Sequence, residues 1–239
     1  KGQISVFIIV AILIIIIFGV YIIMRSSSSN NNIPLEFEGI HNFITECVKE
    51  SAEESVYYVS TTGGYYKLPE LSTPTEIAYY YDGRKSRVPF LLDIEKQIGS
   101  VFENIFKNCT EDYKNFKDIK IDHNNLKIKV NILDNLILFN LDYPISLSKD
   151  NKIVNFNKFN VEIPVRLKLV NKVSNEIVKV LISYNGDICI NCLFDLSQKN
   201  DLYIEMYDYQ LDSKIFVIRD EKLKLKGEDF VWYFASKII

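Results

Sequence analysis

Apolar and polar positions follow three different rules along this chain. From Ile4 to Met24 there is no alternation. The segment carries no charge, and its only polar side chains are Ser5 and Tyr21. A helix of that length, rising 1.5 Å per residue, measures ~32 Å, which matches the hydrocarbon core of a bilayer. A removable export signal has a shorter apolar core of about 7–15 residues followed by small residues. Here the run is longer and ends in Tyr21-Ile22-Ile23-Met24-Arg25. The pattern predicts a retained transmembrane helix over residues 1–25. Ser26-Ser27-Ser28-Ser29-Asn30-Asn31-Asn32 then breaks it, with Pro34 close behind. Ser and Asn compete with helical backbone bonds, so 26–34 reads as a linker.

From residue 35 onward two periods alternate. Residues 36–60 place Phe37, Ile40, Phe43, Ile44, Cys47, Val48, Ala52, Val56 and Val59 at steps of three and four, which predicts an amphipathic helix stopped at Gly63-Gly64. "EIAYYYDGRKSRVP" reads as a hairpin turning at Asp82-Gly83. A second helix is expected over 89–109, on the stripe Leu91, Ile94, Ile98, Val101, Phe102, Ile105 and Cys109. "FKDIKID", "LKIKVNI" and "LILFNLDYPI" switch to a period of two and predict three strands. A short strand pair follows near 152–163. Pro164 then opens a third helix to about Tyr184, ended by Gly186, and "DLYIEMYDYQ", "KIFVIRD" and "DFVWYFASKI" are strands. The expected fold is α+β, with about three helices and antiparallel meander sheets in a head over 35–239, and a sub-boundary near 110–115.

Charge narrows the partners. The whole chain carries a formal charge of −3. All the acidic residues lie beyond the linker, together with every basic one except Lys1 and Arg25. An acidic head lacks the basic face that nucleic acid requires. Lys1 and Arg25 flank the apolar run one on each side, so the basic-residue count leaves its orientation nearly tied. The cysteines decide it. Four are present, Cys47, Cys109, Cys189 and Cys192, and an even number beyond a membrane anchor fits disulfides in an oxidising exterior. Four cysteines allow three connectivities; Cys47–Cys109 with Cys189–Cys192 is favoured because the first two fall on long helices. Asn108-Cys109-Thr110 is a glycosylation sequon, which makes Asn108 a candidate acceptor and fits an exported head.

Candidate chemistry is sparse. The two histidines, His41 and His123, have no cysteine or acidic cluster at ligand spacing, so no metal site and no cofactor is expected. No nucleophile elbow, phosphate loop or dinucleotide fingerprint occurs, and no catalytic residue is assigned. Cys189-Ile190-Asn191-Cys192 has the spacing of a redox pair, which at a helix start would be reactive. Tyr79-Tyr80-Tyr81 is the densest aromatic run. It reads either as core or as a recognition surface, since tyrosine offers large contact area with a polar tip.

Lys1-Gly2-Gln3-Ile4-Ser5, running straight into the apolar segment, resembles the class III signal peptide of archaeal type IV pilin-like proteins. The resemblance covers about 20 residues. It implies cleavage between Gly2 and Gln3, retention of the apolar helix, and self-assembly through it. Filament subunits of that family commonly carry a glutamate where Phe7 stands, and their stems run into the head without a linker; both features depart from the pattern here. The order of the cysteine-bearing helices, Gly63-Gly64-Tyr65, Tyr143-Pro144-Ile145 and the terminal Phe234-Ala235 is similar to uncharacterised membrane-anchored proteins of small symbiotic archaea. The combined expectation is a single-pass cell-surface protein with its head outside the bilayer. Its role would be structural or adhesive, towards an envelope or host-surface partner. The alternative is a membrane-tethered extracytoplasmic enzyme, either a hydrolase or a thiol oxidoreductase.

Overall fold

The computed structural model describes residues 33–238. The expected cut between Gly2 and Gln3, the apolar span and nearly all of the linker lie outside them. Among the described residues no helix is long and apolar enough to cross a membrane. The chain divides after Glu38. Of the first unit, the described part opens helix α1 (Leu35–Thr61), where the Phe37 N–H donates to the Pro34 carbonyl at 2.8 Å.

The second unit, Gly39–Ile239, holds the rest of α1 and everything after it. The order is β1 (Tyr79–Tyr81), α2 (Leu91–Thr110), a short 3-10 turn (Glu111–Asn115), β2 (Lys120–His123), β3 (Lys127–Ile132), β4 (Ile137–Lys149) and β5 (Lys152–Ile163). Then follow α3 (Leu167–Ser183), α4 (Ile190–Asn200), β6 (Tyr203–Gln210), β7 (Ser213–Leu225) and β8 (Glu228–Lys237). The class is α+β, as the alternation of periods predicts.

One sheet is organised on β4. Its Ile137, Phe139, Leu141, Tyr143, Ile145 and Leu147 are all buried, one face of a period-two strand. β5 pairs along one of its edges, while β3 and β2 share the other, end to end. The inner face meets α2 through Phe102 on Phe139 and Phe106 on Tyr143, with ring centroids 5.6 and 5.2 Å apart. Pro144 has no N–H to give a ladder. It sits where the β4–β5 register shifts, between Asp142 and Ile145, so the strand continues past it. The short strand pair expected at 152–163 is instead one long strand, because β4 supplies partners along nearly its whole length.

The second sheet runs β1-β8-β7-β6. Phe216, Ile218, Phe230, Trp232 and Phe234 fill its inner face and are fully buried. β1 joins β8 in parallel, so this sheet is mixed, whereas the β4 sheet is wholly antiparallel as expected. The hairpin expected around Asp82-Gly83 reduces to a single bridge, Tyr81 to Ser86, because β1's main partner is the last strand of the chain. Among the described residues there are four helices where about three were expected. α4 was missed: its eleven residues bury only Leu193, too little for an apolar stripe to show.

Two ties hold the elements together. Gly64, at φ +90° after α1, lies where a Cβ would come within 3.1 Å of Pro89 Cγ and 3.3 Å of Trp232 Cζ2, so only glycine fits that stop. Arg166, just before α3, donates to both carboxylate oxygens of the fully buried Asp220 on β7, at 2.7 and 2.6 Å, and to the Asp201 carbonyl after α4 at 2.9 Å.

Asp82 closes the turn after β1. Its Oδ1 accepts the N–H groups of Lys85 (2.9 Å) and Arg84 (3.0 Å), and its Oδ2 accepts from Arg87 Nε at 2.6 Å. These contacts, the Lys85 N–H foremost, hold its pKa down at about 2. A carboxyl whose folded pKa is depressed contributes stability above its unfolded pKa of about 3.9 and loses it as pH falls through the folded value. The stability gap between the protein and Asp82→Asn is therefore expected to be constant above about pH 5 and to shrink between about pH 4 and pH 2. Urea melts across that range measure it; a gap unchanged down to pH 2 would contradict the assignment.

Candidate functional site

The structure pairs all four cysteines as Cys47–Cys109 and Cys189–Cys192, the connectivity the sequence favours, and leaves none free. The two bonds sit in different settings. Cys47, buried on α1, joins Cys109 in the last turn of α2 across a separation of 62 residues. Closing a loop of that size restricts the unfolded chain by about 4 kcal/mol in the chain-entropy description, against about 2 kcal/mol for a ring closed across three residues. Asn108 is exposed beside this bond at the end of α2, accessible as the sequon requires.

Cys189–Cys192 sits at the start of α4. α3 ends at Ser183, the Gly186 N–H beyond it donates to the Leu181 carbonyl at 2.7 Å, and the chain turns back through Asp187 and Ile188. Cys189 then caps α4 from an extended backbone, and its Sγ accepts the Cys192 N–H at 3.2 Å. A sulfur thus takes the capping place that a Ser or Asp oxygen usually fills. The Tyr184 hydroxyl lies 3.9 Å from Cys192 Sγ. A disulfide sulfur carries no hydrogen, so the hydroxyl is the donor in that contact. Both cysteines are half-buried. The segments on either side of the bond expose Ile182 (40%), Tyr184 (49%), Ile190 (61%) and Phe194 (61%).

Tyr79, Tyr80 and Tyr81 are all buried, which corrects their reading as a recognition surface in favour of the core. Tyr80 stacks on Phe234 with centroids 4.6 Å apart, donates to the Gly63 carbonyl at 3.0 Å and accepts from Trp232 Nε1 at 3.2 Å. Burial pushes its hydroxyl pKa well above the ordinary value, with the Trp232 bond pulling the other way. Three consecutive tyrosines stay dry because the inner face of the sheet takes Tyr80, while Tyr79 turns to Ala235 and Ile77 on the other side.

Two exposed tyrosines stand on β6 instead. Tyr203 and Tyr207 alternate with Glu205 on the outer face of an edge strand, and each tyrosine is about half exposed. Arg219 of β7 lies over the Tyr203 ring at 5.1 Å and pairs with Glu205 at 3.0 Å. Sequence reasoning missed these residues. Their signal was the period-two spacing of Tyr203, Glu205 and Tyr207 within "DLYIEMYDYQ".

Elsewhere a cleft of about 710 Å³ runs along the polar side of α3, lined by Lys168, Asn171, Lys172, Asn175 and Lys179. Lys168 there pairs with Asp134 at 2.8 Å and Lys179 with Glu176 at 2.8 Å. His41 packs on Phe156 and His123 on Tyr143, at 4.7 and 5.5 Å between ring centroids. Among the described residues no group of three or more His, Cys, Asp or Glu side chains is placed to hold a metal ion. Comparison with known protein families, with curated proteins and with solved structures gives no match to this chain.

Proposed function

We propose that this chain is a membrane-anchored surface protein whose disulfide-braced head, residues 35–239, faces the oxidising side of the bilayer in a structural or adhesive role. The observation that carries the reading is the Cys47–Cys109 bond, which joins two helices of the head in a chain whose residues 4–24 are apolar enough to span a membrane. A structural disulfide of this span persists in an oxidising compartment and is rare where thiols are kept reduced. The accessible Asn108 of the sequon supports the same side. In this reading the anchor is the segment Ile4–Met24, the linker 26–34 joins it to the head, and cleavage between Gly2 and Gln3 matures the N-terminus.

The test is topological. Intact cells bearing the protein are treated with a protease that cannot cross the membrane, and the membrane fraction is then washed at alkaline pH. The expected result is loss of the head from intact cells, with the residual N-terminal fragment retained in the washed membrane. A head protected until the cells are lysed, or a chain released by the alkaline wash, would overturn the proposal.

A further inference from the structure

We infer that Cys189–Cys192 is an exchangeable disulfide that oxidises a pair of thiols in a polypeptide docked on α4. The inference goes beyond the anchoring role and rests on the geometry where α3 ends and α4 begins, set against that of the other disulfide.

Three observations converge. First, the bond closes a ring across only three residues, at the N-terminus of a helix whose backbone already sets the turn, so it braces little. The other disulfide of the same head spans two helices, and the contrast marks the pair at α4 as doing something besides bracing. Second, each sulfur has a hydrogen-bond donor in place for a developing thiolate: the Cys192 N–H for Cys189, and the Tyr184 hydroxyl for Cys192. A helix N-terminus favours the thiolate further, because its backbone N–H groups and dipole point at the sulfur. Third, Ile182, Tyr184, Ile190 and Phe194 are exposed on the segments that carry and flank the pair. Apolar side chains left in water beside a half-buried disulfide suit an extended peptide segment better than a small hydrophilic thiol.

The exchange balances without a further reactant. A thiolate of the peptide attacks Cys192 Sγ, forming a peptide–Cys192 bond and breaking the Cys189–Cys192 bond. Cys189 leaves as the thiolate held by the Cys192 N–H. The second peptide thiol loses its proton and attacks its own partner sulfur in the mixed disulfide. The peptide disulfide forms, and Cys192 leaves towards the Tyr184 hydroxyl. Two electrons pass from the peptide dithiol to the protein, and the two protons released by the peptide end on Cys189 and Cys192. One chain oxidises one dithiol, and the reaction runs either way according to the two reduction potentials.

The experiment uses the full chain in detergent micelles and a synthetic reduced peptide containing two cysteines among apolar residues. Peptide oxidation is followed by mass under anaerobic conditions, with the Cys189→Ser/Cys192→Ser double variant as reference. The expected result is oxidation about 10-fold or more above that reference, one peptide per chain, with Cys47–Cys109 intact. Acid quenching with a single-cysteine peptide is expected to place the adduct on Cys192. A rate equal to the reference, or an adduct on neither cysteine of the pair, would overturn the inference. A second measurement covers a double variant that does not fold: the wild-type chain is equilibrated across glutathione redox buffers and its thiols are alkylated. Two thiols, Cys189 and Cys192, are expected to open at a less reducing poise than the other two. All four opening together, or Cys47–Cys109 opening first, would overturn it.

Discussion

Replacing Arg166 with methionine is expected to destabilise the head by about 3–5 kcal/mol. Asp220 is fully buried on β7, and its carboxylate accepts two Arg166 donors at 2.7 and 2.6 Å, with one further bond from the Lys222 N–H at 3.0 Å. Removing the guanidinium leaves a buried charge with one backbone donor. That is the costly arrangement, since desolvation is no longer offset by attraction. The same guanidinium holds the Asp201 carbonyl beyond α4, so the start of α3 and the end of α4 lose a common tie. The double variant Arg166→Met/Asp220→Leu removes both charges and is expected to recover most of the loss. Urea unfolding followed by circular dichroism measures all three proteins. A single variant within about 1 kcal/mol of the parent, or a double variant no better than the single, would show that the pair does not hold these elements together.

The disulfides are expected to separate by a comparable margin. Cys47→Ala/Cys109→Ala should cost about 4 kcal/mol, since it frees the loop that joins α1 to α2. Cys189→Ala/Cys192→Ala should cost about half that or less, because the ring it opens is small and lies within one helical turn. Thermal unfolding of each variant without reductant gives the ordering. Equal losses would remove the distinction between a bracing bond and an exchangeable one, and with it the first of the three observations behind the inference at α4.

Much of the fold was legible because long elements carry their period openly. α1 and α2 bury Ile40, Ile44, Val48, Ile94, Ile98 and Phe102 at steps of four, and β4 buries every second residue. The disulfide map was legible for the same reason, since placing two helices places the cysteines at Cys47 and Cys109. What was not legible depended on partners remote in sequence. β1 is only three residues long and owes its place to β8, more than a hundred residues away, which no local pattern encodes. β5 reads as two pieces because most of its side chains are exposed, and only the β4 ladder shows it to be one strand. The tyrosine run left core and recognition surface both open because density of aromatic residues does not distinguish the two faces of a strand. Tyr80 is held inside by Gly63 and Trp232, whereas Tyr203 and Tyr207 stay out because they stand on the outer face of β6.

The central claim is an oxidised head held at a membrane, and one measurement reaches it most directly. The protein is purified from its native membrane with free thiols blocked and no reductant, and its intact mass is read together with its N-terminal sequence. The expected mass contains no blocking group and lies about four hydrogens below that of the fully reduced chain, as two disulfides require. The expected first residue is Gln3, with the segment Ile4–Met24 still attached. A chain recovered from the soluble fraction, or one carrying four blocked thiols, would contradict the claim.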